Sequence, residues 1–520
     1  MAAETAQLTL AARQAVAAKE WARVSALAME IGRRAPAGAE GPFLMGLVDK
    51  AALRTEAAAR LFQQALSKDP ERYDAAVELA NQYLALNRYG EAHELLDRYR
   101  AKLHNSPLYL DMAGQAYFIM GHYEQAWPLY EQASQLQPKA EIFQAHLASC
   151  AVYLGKMDLA KSIYRKLLKR HPKHQQFHYD LSQLDRARDD RHIRQMLKVL
   201  KKSDAAPANN IYLYYALGKE YEDLGRWPDA FRYYKKGGDA VKTVANYDVA
   251  DDVDLIDRII ETCSAAWLQD GPATLQTEKT PIFVVGLPRT GTTLTDRILS
   301  SHSLVQSAGE SQLLQMVLRD GSRAGNQIGI TGAQIDAAAR RDPESIAKAY
   351  VDAVSHRLGN EPYFVEKLPE NVLYLGFIAK SWPDARIVHL RRHPMDACFA
   401  VYKQSFFRFA YSLDDLARYY LAYDRLSRHW RTVLGSRMVE LNYEDLVSDQ
   451  EGETRRLLQE LGLEFEEACL RFDQNVAPVA TASSVQVREK VHTRSVGKWK
   501  KFERQLRPLR EQLEQGGVAL

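Results

Sequence analysis

The chain has 520 residues, too many for one hydrophobic core, and since domains run to roughly 100–200 residues, two or three folded units are expected. Apolar residues at 46% and charged residues at 26% exclude extended disorder. A formal charge of only +3, from 69 Lys and Arg against 66 Asp and Glu, excludes wholesale nucleic-acid binding, so any anion site must be local. Cys150, Cys263, Cys398 and Cys469 lie far apart with no CxxC pair or metal-ligand spacing, which predicts reduced, buried thiols. Met1 to Trp21 carries no continuous apolar core and no basic leader, and no run of about 18 apolar residues occurs anywhere. A cytoplasmic protein without a membrane span is the expectation.

In chain order, the first signal is a period. Asn87, Gly121 and Gly155 recur every 34 residues; so do Ala58, Ala92, Ala126 and Ala160, then Tyr130 and Tyr164, then Pro138 and Pro172. Each unit reads as a helical hairpin with a Gly or Asn turn, a small Ala where two helices cross, and a Pro that ends the second helix. The stretches Asn87-Arg-Tyr-Gly-Glu-Ala92, Gly121-His-Tyr-Glu-Gln-Ala126 and Gly155-Lys-Met-Asp-Leu-Ala160 resemble the tetratricopeptide repeat. The pattern degrades around Asp185 to Ser203 and resumes at Leu217-Gly218 and Gly225-Arg-Trp-Pro-Asp-Ala230, so the resemblance covers about residues 10–240. It implies an all-α superhelix over 1–245, whose concave face holds a peptide, another protein or a second copy of the chain. Whether the stack self-associates is left open.

Residues 246–277 read as a connecting helix and linker, marked by Gly271-Pro272 and a polar stretch to Thr280. From 278 to 520 the texture is α/β. Ile282 to Val285, Tyr363 to Val365, Arg386 to Leu390 and Met438 to Leu441 read as strands separated by helix-length segments, which predicts a three-layer α/β domain on a central parallel sheet. The first strand runs into Gly286-Leu-Pro-Arg-Thr-Gly-Thr-Thr293 and then into the helical pattern Leu294 to Ser300. That is the layout of a P-loop-like anion site, where backbone N–H groups and a helix N-terminus converge. A nucleotide triphosphatase needs Lys after the second Gly, where this chain has Thr292.

Pro288-Arg-Thr-Gly-Thr-Thr293 resembles the 5′-phosphosulfate loop of the sulfotransferases, and residues 278–502 are similar to the tyrosylprotein sulfotransferase branch and to bacterial proteins that join such a domain to tetratricopeptide repeats. The resemblance implies 3′-phosphoadenosine 5′-phosphosulfate as co-substrate, its desulfated product as a second ligand, and no metal. It implies that Arg289, Thr290, Gly291, Thr292 and Thr293 hold the phosphosulfate, and that Arg392 in Arg392-His-Pro-Met-Asp396 binds the 3′-phosphate. A guanidinium suits that task because it engages two oxygens at once. The family carries Ser eight residues later, where this chain has Ala400; Ser405 or Lys403 would have to compensate. By the same resemblance Tyr443 borders the nucleotide, and Lys498 in Ser495-Val-Gly-Lys498-Trp499 neutralises phosphate. Arg488, Lys490, Arg494, Lys500 and Lys501 add positive charge to that stretch.

Sulfuryl transfer to a hydroxyl needs a base, since a phenol of pKa about 10 is mostly protonated at neutral pH. The resemblance places the catalytic carboxylate at Glu310, the lysine facing the leaving phosphate at Lys367, and the transition-state serine at Ser483, with Ser484 a neighbour of the same type. His302, His389, His393 and His492 lie in or near the motifs and rank below Glu310 as bases. The expected function is transfer of a sulfuryl group to a hydroxyl acceptor, a protein tyrosine among the candidates, with the repeats binding substrate or partner. The alternatives are a P-loop kinase or triphosphatase, and a scaffold whose second domain binds nucleotide without turnover. The donor motifs do not choose between peptide, carbohydrate, lipid and small phenol as acceptor.

Overall fold

The computed structural model describes residues 2–103, 105–203, 206–274, 277–319, 329–475, 477–478, 481 and 488–520. Among the described residues, fourteen α-helices follow one another along the first part of the chain, with Ala2–Ala17 packed on Trp21–Arg34 at its start and Ile211–Asp223 packed on Trp227–Lys242 at its end. The degraded segment supplies the helices Gln175–Gln183 and Arg191–Lys201, which touch through His178 Nδ1 and His192 Nε2 at 2.8 Å and both pack on Ile211–Asp223.

The turns explain the period. Asn87 (φ +62°), Gly121 (+85°) and Gly155 (+75°) take the left-handed conformation, and so do Lys19 (+57°) and Leu53 (+59°), which continue the 34-residue register towards the N-terminus. A side chain in that region costs roughly 1–2 kcal/mol, which is why Gly and Asn mark the later turns. The helix crossings follow the same register. A Cβ on Gly46 would lie 2.6 Å from the Phe62 ring, and one on Gly114 would lie 2.9 Å from the Tyr130 ring.

The chain forms two compact units, one of residues 1–150 with 352–357 and one of residues 151–351 with 358–520. The second therefore contains helical hairpins as well as the sheet. Five parallel strands, β1 (Thr280–Gly286), β2 (Val305–Gly309), β3 (Tyr363–Lys367), β4 (Arg386–Arg391) and β5 (Met438–Asn442), are ordered β2-β3-β1-β4-β5. β1 pairs Ile282 with Val365 on one side and with Arg386 on the other. The four strands read from the sequence are all present; β2 is an edge strand whose short, half-buried run Val-Gln-Ser-Ala-Gly gave no pattern.

Near-continuous apolar runs make these strands, because helices bury both faces. On one face Ile282, Val284, Val388, Leu390, Val439 and Leu441 pack with Ile298, Leu299, Leu457 and Leu458 of the helices Thr292–Leu299 and Gln450–Glu460. On the other, Phe283 meets Tyr350 and Trp382 at ring separations of 6.0 and 5.9 Å. The order reverses at β1, whose neighbours β3 and β4 run to opposite edges, and in such sheets ligands bind beyond the carboxyl ends at that switch point. No described helix is long and apolar enough to cross a membrane.

Candidate active site at the carboxyl edge of the sheet

The loop after β1 is shaped by two glycines. A Cβ on Gly286 (φ +151°) would sit 2.6 Å from the Leu390 carbonyl, and one on Gly291 (φ +106°) would sit 2.7 Å from Tyr443 Cδ2. Between them Arg289 itself holds φ +69°, a strained value for a non-glycine residue and a recurrent mark of functional loops. The loop is braced from beneath: Thr290 Oγ1 donates to the Leu287 carbonyl at 2.7 Å, and the Leu287 N–H donates to the Tyr423 hydroxyl at 3.1 Å. The helix Thr292–Leu299 starts directly after the loop, so its first-turn amides face whatever the loop holds.

Arg392 follows β4 and reaches the same place. Its Nη1 donates to the Arg289 carbonyl (2.8 Å), its Nη2 donates to the Ser495 carbonyl (2.7 Å), and its guanidinium carbon lies 4.6 Å from the centre of the Tyr443 ring. Arg392 Nε is buried with no hydrogen-bond partner among the described residues. Burial, with Arg392 beside it, lowers the Arg289 guanidinium to about 10, which leaves it cationic at neutral pH. Two converging cations and a cradle that admits no Cβ at Gly291 fit a ligand with several anionic groups.

Lys367 ends β3 and is 1% exposed. Its ammonium donates to Glu310, just past β2, and lies 3.4 Å from Thr293 Oγ1. Glu310 keeps 30% of its side chain exposed, towards the cleft. All five strand ends thus deliver a residue to one region. A cleft of about 330 Å³ is lined by Arg289, Gly291, Thr292, Thr293, Glu310, Arg392 and Tyr443 among others. Phe406, Phe407, Leu368 and Pro369 supply an apolar wall, and Glu370, its carboxyl raised by burial and by Glu310, adds a second acid.

Thr290 and Lys367 stand behind this lining, and Ser483 and Ser484 lie outside the described residues. Lys498 does not line the cleft; its ammonium donates to Glu222 of the helix Ile211–Asp223. Glu222 also accepts from Lys403 Nζ at 2.9 Å and from the Tyr234 hydroxyl at 2.8 Å. Burial pushes its carboxyl up, but Lys403 and Lys498 outweigh burial and hold it at about 2, while burial lowers Lys403 to about 8. Lys403 is therefore engaged by Glu222, and Ser405 lies beside Tyr179.

Of the histidines, His302 Nε2 donates to the Glu464 carbonyl at 2.9 Å, and His389 Nε2 pairs with the Tyr423 hydroxyl at 3.0 Å. His393 accepts from the Met395 N–H at the start of the helix Pro394–Tyr402. Only His492 of the four lines the cleft. Two residues that the sequence reading passed over hold the site's margin: Glu222, and Asp396, whose carboxylate accepts from the N–H groups of Gly497 (2.5 Å) and Trp499 (2.9 Å). Asp396 sits in a motif already singled out; Glu222 had no local signal.

A family model described as the sulfotransferase family matches residues 281–467, and tetratricopeptide repeat models match residues 51–116, 109–139 and 143–174. An uncharacterized protein of Aquifex aeolicus (strain VF5) is 30% identical over 403 residues, which cover 74% of this chain and 53% of that protein. The chain therefore spans about half the length of that relative. A Caenorhabditis briggsae protein described as a candidate protein-tyrosine sulfotransferase is 23% identical over 231 residues, 42% of this chain and 80% of that one. The sulfotransferase domain of the Synechococcus PCC 7002 olefin synthase is 20% identical, covers 47% of this chain and 97% of its own length, and superposes with a TM-score of 0.35.

Proposed function

The chain joins tetratricopeptide repeats to a sulfotransferase-family domain, and from that premise we propose that the cleft takes 3′-phosphoadenosine 5′-phosphosulfate and passes its sulfuryl group to a hydroxyl, a tyrosine of a polypeptide being the preferred acceptor. The observation that carries the reading is the direct contact of loop and arginine: Arg392 Nη1 on the Arg289 carbonyl brings the two proposed anion-holding elements to one cleft.

In this reading Arg289, Thr292, Thr293 and the amides that follow Gly291 hold the 5′-phosphosulfate, with Thr290 bracing the loop. Arg392 takes the 3′-phosphate, and Tyr443 borders the nucleotide. The donor supplies a sulfur bonded to a good leaving phosphate. Glu310 accepts the acceptor's proton as the acceptor oxygen bonds to sulfur and the sulfur–oxygen bond to phosphate breaks, leaving 3′,5′-bisphosphoadenosine and a sulfate ester. Lys367 stands beside both Thr293 and Glu310, so one ammonium orients the base and meets charge developing on the leaving oxygen. Ser483 is assigned to the same transition state by family likeness alone. Lys498 serves the phosphate end through the segment it anchors rather than from the cleft lining. Phe406 and Phe407 offer an aromatic wall to a phenol, and the repeats are assigned the capture of a polypeptide partner or acceptor.

Calorimetric titration with 3′,5′-bisphosphoadenosine and with ATP tests the donor. The bisphosphate is expected to bind more tightly; tighter ATP binding overturns the reading. A transfer assay with labelled sulfate donor over peptide and small phenol acceptors then tests turnover and acceptor class.

A further inference from the structure

Lys498 sits in a short segment that is held from three directions. Arg392 Nη2 donates to the Ser495 carbonyl. Asp396 takes the N–H groups of Gly497 and Trp499, and Gly497 provides the left-handed turn (φ +67°) that aims both at one carboxylate. The third hold is Glu222, on the last helical hairpin of the repeats within the same compact unit. Glu222 is 6% exposed. A carboxylate at that depth is costly unless its oxygens are filled, and here two ammonium groups and a phenol fill them.

We propose that Glu222 is a positioning residue for recognition of the nucleotide's 3′-phosphate: through Lys498 it fixes residues 495–499, and through the Ser495 carbonyl that segment fixes the Arg392 guanidinium. The inference rests on the donor reading given above. Arg392 keeps two carbonyl acceptors and the Tyr443 face as its supports. Neutralising Glu222 leaves Lys403 and Lys498 as like charges with no anion between them. Lys498, 38% exposed, is the one with room to leave. The segment then loses its outer anchor, and with Asp396 as the remaining hold the Ser495 carbonyl is fixed less firmly against Arg392. A hairpin that belongs to the repeats by its helices is thereby part of donor recognition.

The test uses the full chain, with Glu222→Gln and Lys498→Met measured by calorimetry against 3′,5′-bisphosphoadenosine and against AMP, which lacks the 3′-phosphate. Both variants are expected to lose about tenfold in affinity for the bisphosphate and less than about twofold for AMP, the order of effect for loosening one charge-assisted contact. The double variant is expected to lose no more than the greater single loss, because both act through one link. Equal losses on the two nucleotides would make the ion pair purely structural and overturn the proposal. So would unchanged or tighter bisphosphate binding, the latter meaning that a released Lys498 reaches phosphate directly. If Glu222→Gln lacks the native circular dichroism spectrum, Lys498→Met carries the same comparison alone. A wild-type chain that binds no bisphosphate overturns the donor reading itself, a result distinct from a wild type that binds and variants that do not differ.

Discussion

The helical hairpins and the sheet-end cleft use the same strained backbone for opposite purposes. In the hairpins the left-handed residue only closes a turn, and Lys19 and Leu53 occupy it as well as Gly121 or Gly155. In the cleft Gly291 takes a left-handed φ against the Tyr443 ring, and Arg289 takes one so that its carbonyl meets Arg392. A repeated turn spreads its cost over many equivalent contacts and tolerates substitution. A site assembled from five strand ends has no duplicate of any part.

Four experiments bear on that contrast, the largest effect first. Glu310→Gln is expected to lower turnover by about 10²-fold or more while bisphosphate affinity stays within a few-fold, since it removes the proton acceptor and leaves the cations in place. Steady-state kinetics with parallel calorimetry checks this, and a variant that still turns over like the wild type would remove Glu310 from the chemistry. Gly114→Ala forces a methyl against Tyr130 and is expected to cost roughly 1–3 kcal/mol in denaturant unfolding without changing nucleotide affinity.

The third concerns pH. The Glu222 carboxyl is held at about 2 in the folded chain against an ordinary value of 4.5. A depressed acid gives stability that is fully present above the unfolded pKa and is lost as pH falls through the folded one. Unfolding measured between pH 4.5 and 2 is therefore expected to show a destabilisation on acidification that Glu222→Gln reduces. An identical slope in both proteins would mean that the carboxylate gains nothing from its lysines. The smallest effect is expected at Leu53, which is 83% exposed. Leu53→Asn, the residue found one register later at Asn87, relieves a left-handed leucine and is expected to add about 0.5–1 kcal/mol, read as a higher melting temperature.

What the amino-acid sequence made legible follows from the same contrast. The period was readable where residue type and backbone agree, as at Asn87, Gly121 and Gly155, and went silent at Lys19 and Leu53, where the conformation persists under side chains that do not announce it. Four strands stood out as apolar runs; β2 did not, because an edge strand of five residues ending in Gly309 needs little burial. The loop and Arg392 were legible as motifs and meet in space. The pairing of Lys498 with Glu222 was not, since a contact between residues so distant in the chain leaves no local pattern, and the lysine's motif pointed it at a phosphate instead.

Tyr443 has one further consequence. Its ring has Gly291 pressed on one edge and Arg392 laid on its face. One rigid ring thus touches both positive elements, its edge against the loop and its face under the guanidinium, and fixes how Arg392 is turned towards the loop it already contacts. The work of gathering those charges is thus completed when the chain folds, so capture of an anion has little rearrangement left to wait for. Tyr443→Leu, which removes the flat face under Arg392, should slow capture more than release, whereas Tyr443→Phe, which keeps that face, should leave both rates alone.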